Sequence, residues 1–160
     1  MANIKIAYAT TNTAMAITLA DLGNNTARAS LAVDNTSDNY VDTTVSIQLQ
    51  NGQVTGSDLA WYVYGYGSVN NSLFDTPSSG TNASVLTTPA NLALLKTVSI
   101  NYPPFSNTNF YVVIGSIAKA FGGILPPYWG IVIDNRTGAS LVNTATNHAV
   151  THRGIYYTNV

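Results

Sequence analysis

Residues 40–50 alternate without a break. Val41, Thr43, Val45, Ile47 and Leu49 fall on one face, and Asp42, Thr44, Ser46, Gln48 and Gln50 fall on the other. Side chains of a strand point to opposite sides in turn, so a period of two over this length predicts a β-strand with one buried face. Residues 3–8 repeat the alternation and read as another half-buried strand. Further strand-like runs fall at 14–20, 28–34, 59–69, 92–101, 109–118, 128–134 and 149–157, with short ones at 139–142 and near Val85-Leu86. No helical period longer than about ten residues competes with them.

Turn chemistry separates these runs. Asp21, Gly23 and Asn24 stop the second, and Asn35-Thr36-Ser37-Asp38-Asn39 the third. Asn51-Gly52 is a strong tight-turn dipeptide after the clearest strand. Asn135-Arg136-Thr137-Gly138 follows the run 128–134, which is apolar on both faces near its middle and so reads as a central strand. Gly65 and Gly67 inside 59–69 point to a bulge or a close backbone approach. Residues 53–58 are a polar excursion, 70–91 a long polar surface loop, and Tyr102-Pro103-Pro104-Phe105 a breaker. About eight to ten short strands at regular spacing predict one all-β domain over residues 1–160, an antiparallel, jelly-roll-like β-sandwich. Asp-Asn after an apolar residue ends two strands, at Val33-Asp34-Asn35 and Ile133-Asp134-Asn135, where Asx turns or a relation between half-domains would account for the echo.

Charge excludes more than it suggests. Only 8% of the 160 residues are charged while 46% are hydrophobic, against about 25% charged in an average globular chain. The outside is therefore neutral and rich in hydroxyls and amides, which suits contact with protein or sugar. The six cations, Lys5, Arg28, Lys96, Lys119, Arg136 and Arg153, are scattered and the net charge is -1, so no basic stripe for a phosphate backbone exists. There is no cysteine, which removes disulfides, thiol nucleophiles and Cys-ligated zinc. The opening residues lack the plan of a signal peptide, and no apolar run reaches the roughly 20 residues of a membrane helix. Synthesis in a cytoplasm, with no membrane partner, is the expectation. Asn-x-Ser/Thr triplets at Asn24, Asn35, Asn70, Asn82 and Asn135 are the chance product of an Asn/Thr-rich chain.

A search for chemistry yields no catalytic, cofactor-binding or metal site. His148 and His152 are four apart, but on a strand that separation is about 13 Å, too far for one metal ion. All seven carboxylates are Asp, at 21, 34, 38, 42, 58, 75 and 134. No pair has the look of a glycosidase acid and base. The series Asp34, Asp38, Asp42 invites a calcium reading, which Tyr40 and Val41 interrupt. Ile114-Gly115-Ser116-Ile117-Ala118 lacks the second glycine of a nucleophile elbow. Neither Gly65-Tyr66-Gly67 nor Gly122-Gly123 opens a phosphate loop. Aromatics remain: Tyr62, Tyr64 and Tyr66 share one strand face beside Trp61, open to core packing, interface burial or sugar binding. Tyr128-Trp129 reads as a core anchor.

The whole chain resembles the head decoration, or cement, proteins of tailed bacteriophages. The resemblance is carried by Ala2-Asn3-Ile4-Lys5-Ile6, Ala32-Val33-Asp34-Asn35-Thr36-Ser37 and Tyr62-Val63-Tyr64-Gly65-Tyr66-Gly67, and above all by AFGGILPPYWGIVIDNRTGA at 120–139. It implies a non-enzymatic virion structural protein: a β-sandwich made in the host cytoplasm that sits on the capsid exterior. Its partners would be the major capsid protein and other copies of itself, often as a homotrimer, with many weak contacts acting together. It carries over no active-site residue and no cofactor. A carbohydrate-binding module, or a receptor-binding virion protein, using the Tyr62, Tyr64 and Tyr66 face is the alternative, with a glycan as partner.

Overall fold

The computed structural model describes residues 3–54, 59–85, 91–100 and 107–159. Eleven strands occur among them: β1 (Ile4–Tyr8), β2 (Thr13–Ala14), β3 (Thr26–Ala29), β4 (Val33–Asp34), β5 (Asp42–Gln50), β6 (Leu59–Ser68), β7 (Ser84–Val85), β8 (Ala93–Ile100), β9 (Asn109–Ile114), β10 (Tyr128–Arg136) and β11 (Ala149–Asn159). The only helical pieces among the described residues are the 3-10 turns Ala118–Phe121 and Ala145–Asn147.

The first sheet runs β1-β11-β5-β9, with β2 also paired to β11. The second runs β7-β3-β10-β6-β8, with β4 also paired to β10. Every pairing is antiparallel. Setting aside the two-residue strands β2, β4 and β7 leaves eight. Taken in chain order, the first sheet holds the first, eighth, third and sixth of these, and the second holds the second, seventh, fourth and fifth. This is the jelly-roll wind of two Greek keys, so the fold class read from periodicity holds.

The core lies between the sheets and follows the alternation. Thr43, Val45, Ile47 and Leu49 of β5 point inward and are buried. They face Trp61 and Val63 of β6 and Trp129, Ile131 and Ile133 of β10. Two aromatic contacts tie the layers. Trp61 meets Phe110 of β9 edge-on at 4.8 Å between ring centroids, and Trp129 meets His152 of β11 at 5.3 Å and 90°. Residues 129–135 of β10 are all buried, as the central-strand reading requires.

Several local readings need correction. The run 14–20 is not a strand. Only Thr13–Ala14 pairs, with β11; Met15 N–H then donates to Val150, while Ala16 C=O accepts from Leu31 beside the other sheet. The segment crosses between layers, burying Met15 and Leu19 without a ladder. The run 28–34 is two strands, β3 and β4. Asn51-Gly52 makes no hairpin: β5 pairs with β11 and β9, while β6 belongs to the other sheet. Asn51 instead bridges Leu141, and Gly52 N–H donates to Ser140, so 139–142 contributes a single bridge rather than a strand. The run 109–118 stops at Ile114, because Ala118 begins a 3-10 turn. Asn135 and Arg136, read as turn, still belong to β10.

Gly65 and Gly67 are close-approach positions. A Cβ on Gly67 would lie 2.7 Å from Pro126 and 2.9 Å from Phe121, so the 3-10 turn and the chain after it rest on the inner side of β6. The irregular register of β6 against β8 comes earlier, between Val63 and Tyr64. The polar segment 70–83 folds back over the outer face of the second sheet. Asp75 Oδ2 accepts from Gly67 N–H at 2.9 Å, Ala83 and Gly80 accept from Ala29 and Ala32, and Phe74 packs on Tyr66. Leu86, Asp58 and the Tyr102-Pro103-Pro104-Phe105 breaker lie outside the described residues.

Candidate functional site

The titratable side chains are dispersed, and several have a local duty. Asp42 Oδ1 accepts from Thr43 N–H at 2.7 Å, Ile117 N–H at 3.0 Å and Ala118 N–H at 2.8 Å. A carboxylate on β5 thereby satisfies the free donors that open the turn Ala118–Phe121, the role an N-cap plays. Asp34 accepts from both the N–H and the hydroxyl of Thr36, and these bonds hold its carboxyl below the usual carboxylate range. Asp134 is buried on the outer side of β10 and pairs with Arg136 at 2.9 Å. No group of three His or Asp side chains able to hold a metal ion occurs among the described residues.

The two histidines do not meet. His148 Nε2 lies 2.9 Å from the carbonyl of Val142, and Nδ1 lies 3.4 Å from the N–H of Gln50. A ring protonated at Nε2 donates to the first and accepts from the second. His152 points into the core against Trp129, and its Nδ1 has no hydrogen-bond partner. Burial pushes its pKa below the ordinary 6.5, more strongly than Asp38 pulls it up.

The five Asn of the Asn-x-Ser/Thr triplets are clamps, four in loops and Asn135 near the end of β10. Asn35 brackets Tyr40 with both amide atoms, accepting from its N–H and donating to its C=O. Asn135 donates to Leu22 and Ala139 and accepts from Thr137 twice. Asn24 accepts from Gly138, Asn70 from Ser72 and Leu73, and Asn82 exchanges bonds with Thr18. The Asp-Asn echo is thus two Asn clamps, one in the loop after β4 and one near the end of β10. Asn25, Asn39, Asn71 and Asn107 take positive φ, which Asn tolerates better than most residues. The amide-rich composition therefore serves turns before it serves a surface.

The tyrosine ladder of β6 divides. Tyr66 is wholly buried under Phe74, donates to Ser30 C=O at 2.7 Å, and has its pKa pushed up to about 12 by burial. Tyr62 and Tyr64 are half-buried with ring centroids 6.5 Å apart. Cross-strand register sets Tyr62 beside Asp134 and Tyr64 beside Val132. A two-ring platform next to an acid–guanidinium pair is what remains of the ladder.

The larger unclaimed surface is the outer face of the first sheet. Register places Ile4, Ile6 and Tyr8 of β1 beside Asn159, Tyr157 and Ile155 of β11. Farther along the same face, Ser46 and Gln48 of β5 stand next to Val113 and Tyr111 of β9. Ile4, Ile6 and Tyr8 are 69%, 65% and 57% exposed, Tyr111 and Val113 are 73% and 64% exposed, and Tyr157 and Ile124 add to the patch. The alternation of 3–8 predicts a half-buried strand; its apolar side faces outward instead. Charge on this face is sparse. Asp42 is occupied by backbone donors, and Arg153 donates to the carbonyls of Ala9 and Thr10. The sequence signal for such a face was apolar residues on both sides of residues 109–114.

Protein-family models, curated proteins and solved structures give no match to the chain.

Proposed function

We propose that this protein is a non-enzymatic structural component of a phage head, a decoration protein that binds the capsid exterior and stabilises it by bridging capsomers. One observation carries the reading: an apolar, charge-poor outer face on the first sheet, on which Ile4, Ile6, Tyr8, Tyr111, Val113 and Tyr157 are all more than half exposed, the clustered apolar exposure that marks interaction surfaces. Charge depletion with aromatic enrichment characterises the centre of protein interfaces. The jelly-roll wind agrees by analogy, since capsid proteins use it, and so does the resemblance of residues 120–139. The major capsid protein is the proposed partner, with self-association completing the cluster.

The test is direct. Heads lacking the protein are expected to burst at lower temperature, and adding purified protein back restores them. The double variant Tyr111→Lys with Val113→Lys keeps its fold but fails to restore them. Depleted heads as robust as complete ones would refute the proposal. The second reading, glycan binding, rests on the half-buried pair Tyr62 and Tyr64 beside Asp134 and Arg136, on a wind that lectin domains also use. A glycan array without hits, or hits unchanged in Tyr62→Ala, would dismiss it.

A further inference from the structure

The ribbon made by β1 and the far end of β11 runs on past the ladder of β5. β5 stops pairing with β11 at Ile155 opposite Asp42, so among the described residues, 156–159 have only β1 as a ladder partner, with Tyr156 meeting the Tyr40 ring at 6.2 Å. Among the described residues β1 in turn pairs with β11 alone, and four of its five residues are exposed. A two-stranded ribbon is marginal in water unless something packs on it or extends it. Natural edge strands are guarded by charge, proline or bulges. This one carries a single charge, Lys5, while Ile4, Ile6 and Tyr8 stand out on the opposite side.

The free hydrogen-bonding groups of this edge have a defined phase. Ala9 N–H donates to Gly154 C=O. Residues of an antiparallel strand turn their backbone groups alternately toward and away from a neighbour. Ala7 and Lys5 therefore point theirs at β11, and Ile4, Ile6 and Tyr8 turn theirs to the open edge. We infer that this edge pairs with the same edge of a second copy of the chain, antiparallel about a two-fold axis through Ile6. In that register Ile6 faces Ile6, Ile4 faces Tyr8, and each of these residues has its free N–H and C=O aimed across the junction. Lys5 faces Ala7, so the only charge on the edge meets no like charge. Centring one residue earlier would oppose Lys5 to Lys5. The edge is self-complementary in hydrogen bonding, apolarity and charge, as an isologous interface requires, and the two first sheets become one continuous sheet.

The inference concerns the edge and stands apart from where the protein acts. Sedimentation of the purified full chain across a concentration series is expected to give a monomer–dimer equilibrium. Ile6→Pro removes an N–H that points to the open edge, where proline is tolerated in the strand itself, and is expected to weaken dimerisation by about tenfold or more. Ile6→Asp, which apposes two carboxylates on the axis, has the same effect, with circular dichroism unchanged in both variants. Ala7→Glu sets a carboxylate opposite Lys5 of the other copy and tightens the dimer in a salt-sensitive way. A chain that stays monomeric, or an oligomer of any size unaffected by both Ile6 variants, overturns the inference. A monomer that still stabilises heads would sink the edge pairing and leave the proposed function intact.

Discussion

The ring of Tyr66 occupies the space in which a side chain at position 130 would stand. Tyr66 on β6 and Gly130 on β10 are cross-strand partners, and a Cβ on Gly130 would collide with Tyr66 Cζ and Oη. The aromatic ring thus covers the glycine and reaches Ser30 with its hydroxyl. Gly154 and Tyr40 repeat the arrangement on the first sheet.

Gly130→Ala is accordingly expected to cost about 1–3 kcal/mol, the usual penalty of overpacking a tight interior. Tyr66→Phe should cost about 1 kcal/mol through the lost bond to Ser30. Urea denaturation reads both; an unchanged midpoint for Gly130→Ala would show that the ring moves aside freely.

Asp42→Ala strips the acceptor from Ala118 N–H, leaves Ile117 N–H with Thr43 C=O alone, and should destabilise by about 1–2 kcal/mol, the range of a lost helix cap. Asp42→Asn keeps an acceptor oxygen and should lose less. Equal losses in the two variants would mean that the side chain acts by charge rather than by receiving these hydrogen bonds.

Folding stability should decline on acidification below about pH 6.5, because the unfolded chain takes up a proton at His152 before the folded one does. The loss is absent above that pH and levels off once pH falls below the lowered pKa of the buried ring. His152→Phe keeps an aromatic ring against Trp129 and should flatten this window. Denaturation midpoints at pH 5 to 7.5, compared between the two proteins, measure the difference.

Asn135→Ala removes a fully buried clamp: Thr137 N–H loses its acceptor, while Leu22 C=O keeps Leu141 N–H and Ala139 C=O keeps the Thr137 hydroxyl. A loss of about 1–3 kcal/mol follows, the usual cost of one orphaned buried group. Asn135→Asp is expected to be worse, because a carboxylate would face two carbonyls. Thermal unfolding of both variants supplies the comparison, and an Asp variant as stable as the parent would contradict the bonding assigned to Asn135.

The sandwich was legible because its signal is local. The alternation at Val45, Ile47 and Leu49 and the apolar middle of β10 place those residues whatever the rest of the chain does. What lies behind each strand is not local. Ile4 and Ile6 carry the same pattern as Val45 and Ile47, yet no second layer stands over them, and nothing in residues 3–8 encodes that. The run 14–20 and the pair Asn51-Gly52 misled for a related reason: both lie where the chain leaves one sheet for the other, so burial persists there while ladder pairing does not. Of the candidate site, the tyrosine row was visible, but the covering of Tyr66 by Phe74 depends on a segment returning from beyond the strand's end. The outer face of the first sheet emerged only once β1, β5, β9 and β11 had been set side by side.

The jelly-roll wind also fixes when the protein takes shape. β10 joins β3 to β6 in the middle of one sheet, and β11 joins β1 to β5 in the middle of the other, yet these are the last two strands in chain order. A nascent chain that has emerged as far as β9 has both flanks of each layer and neither centre. Contacts between residues so far apart in sequence close slowly, and until they close the apolar sides of β5 and β6 remain uncovered. Neither sheet is therefore completed before β10 and β11 have been synthesised, and until then the uncovered apolar strands are where aggregation would begin.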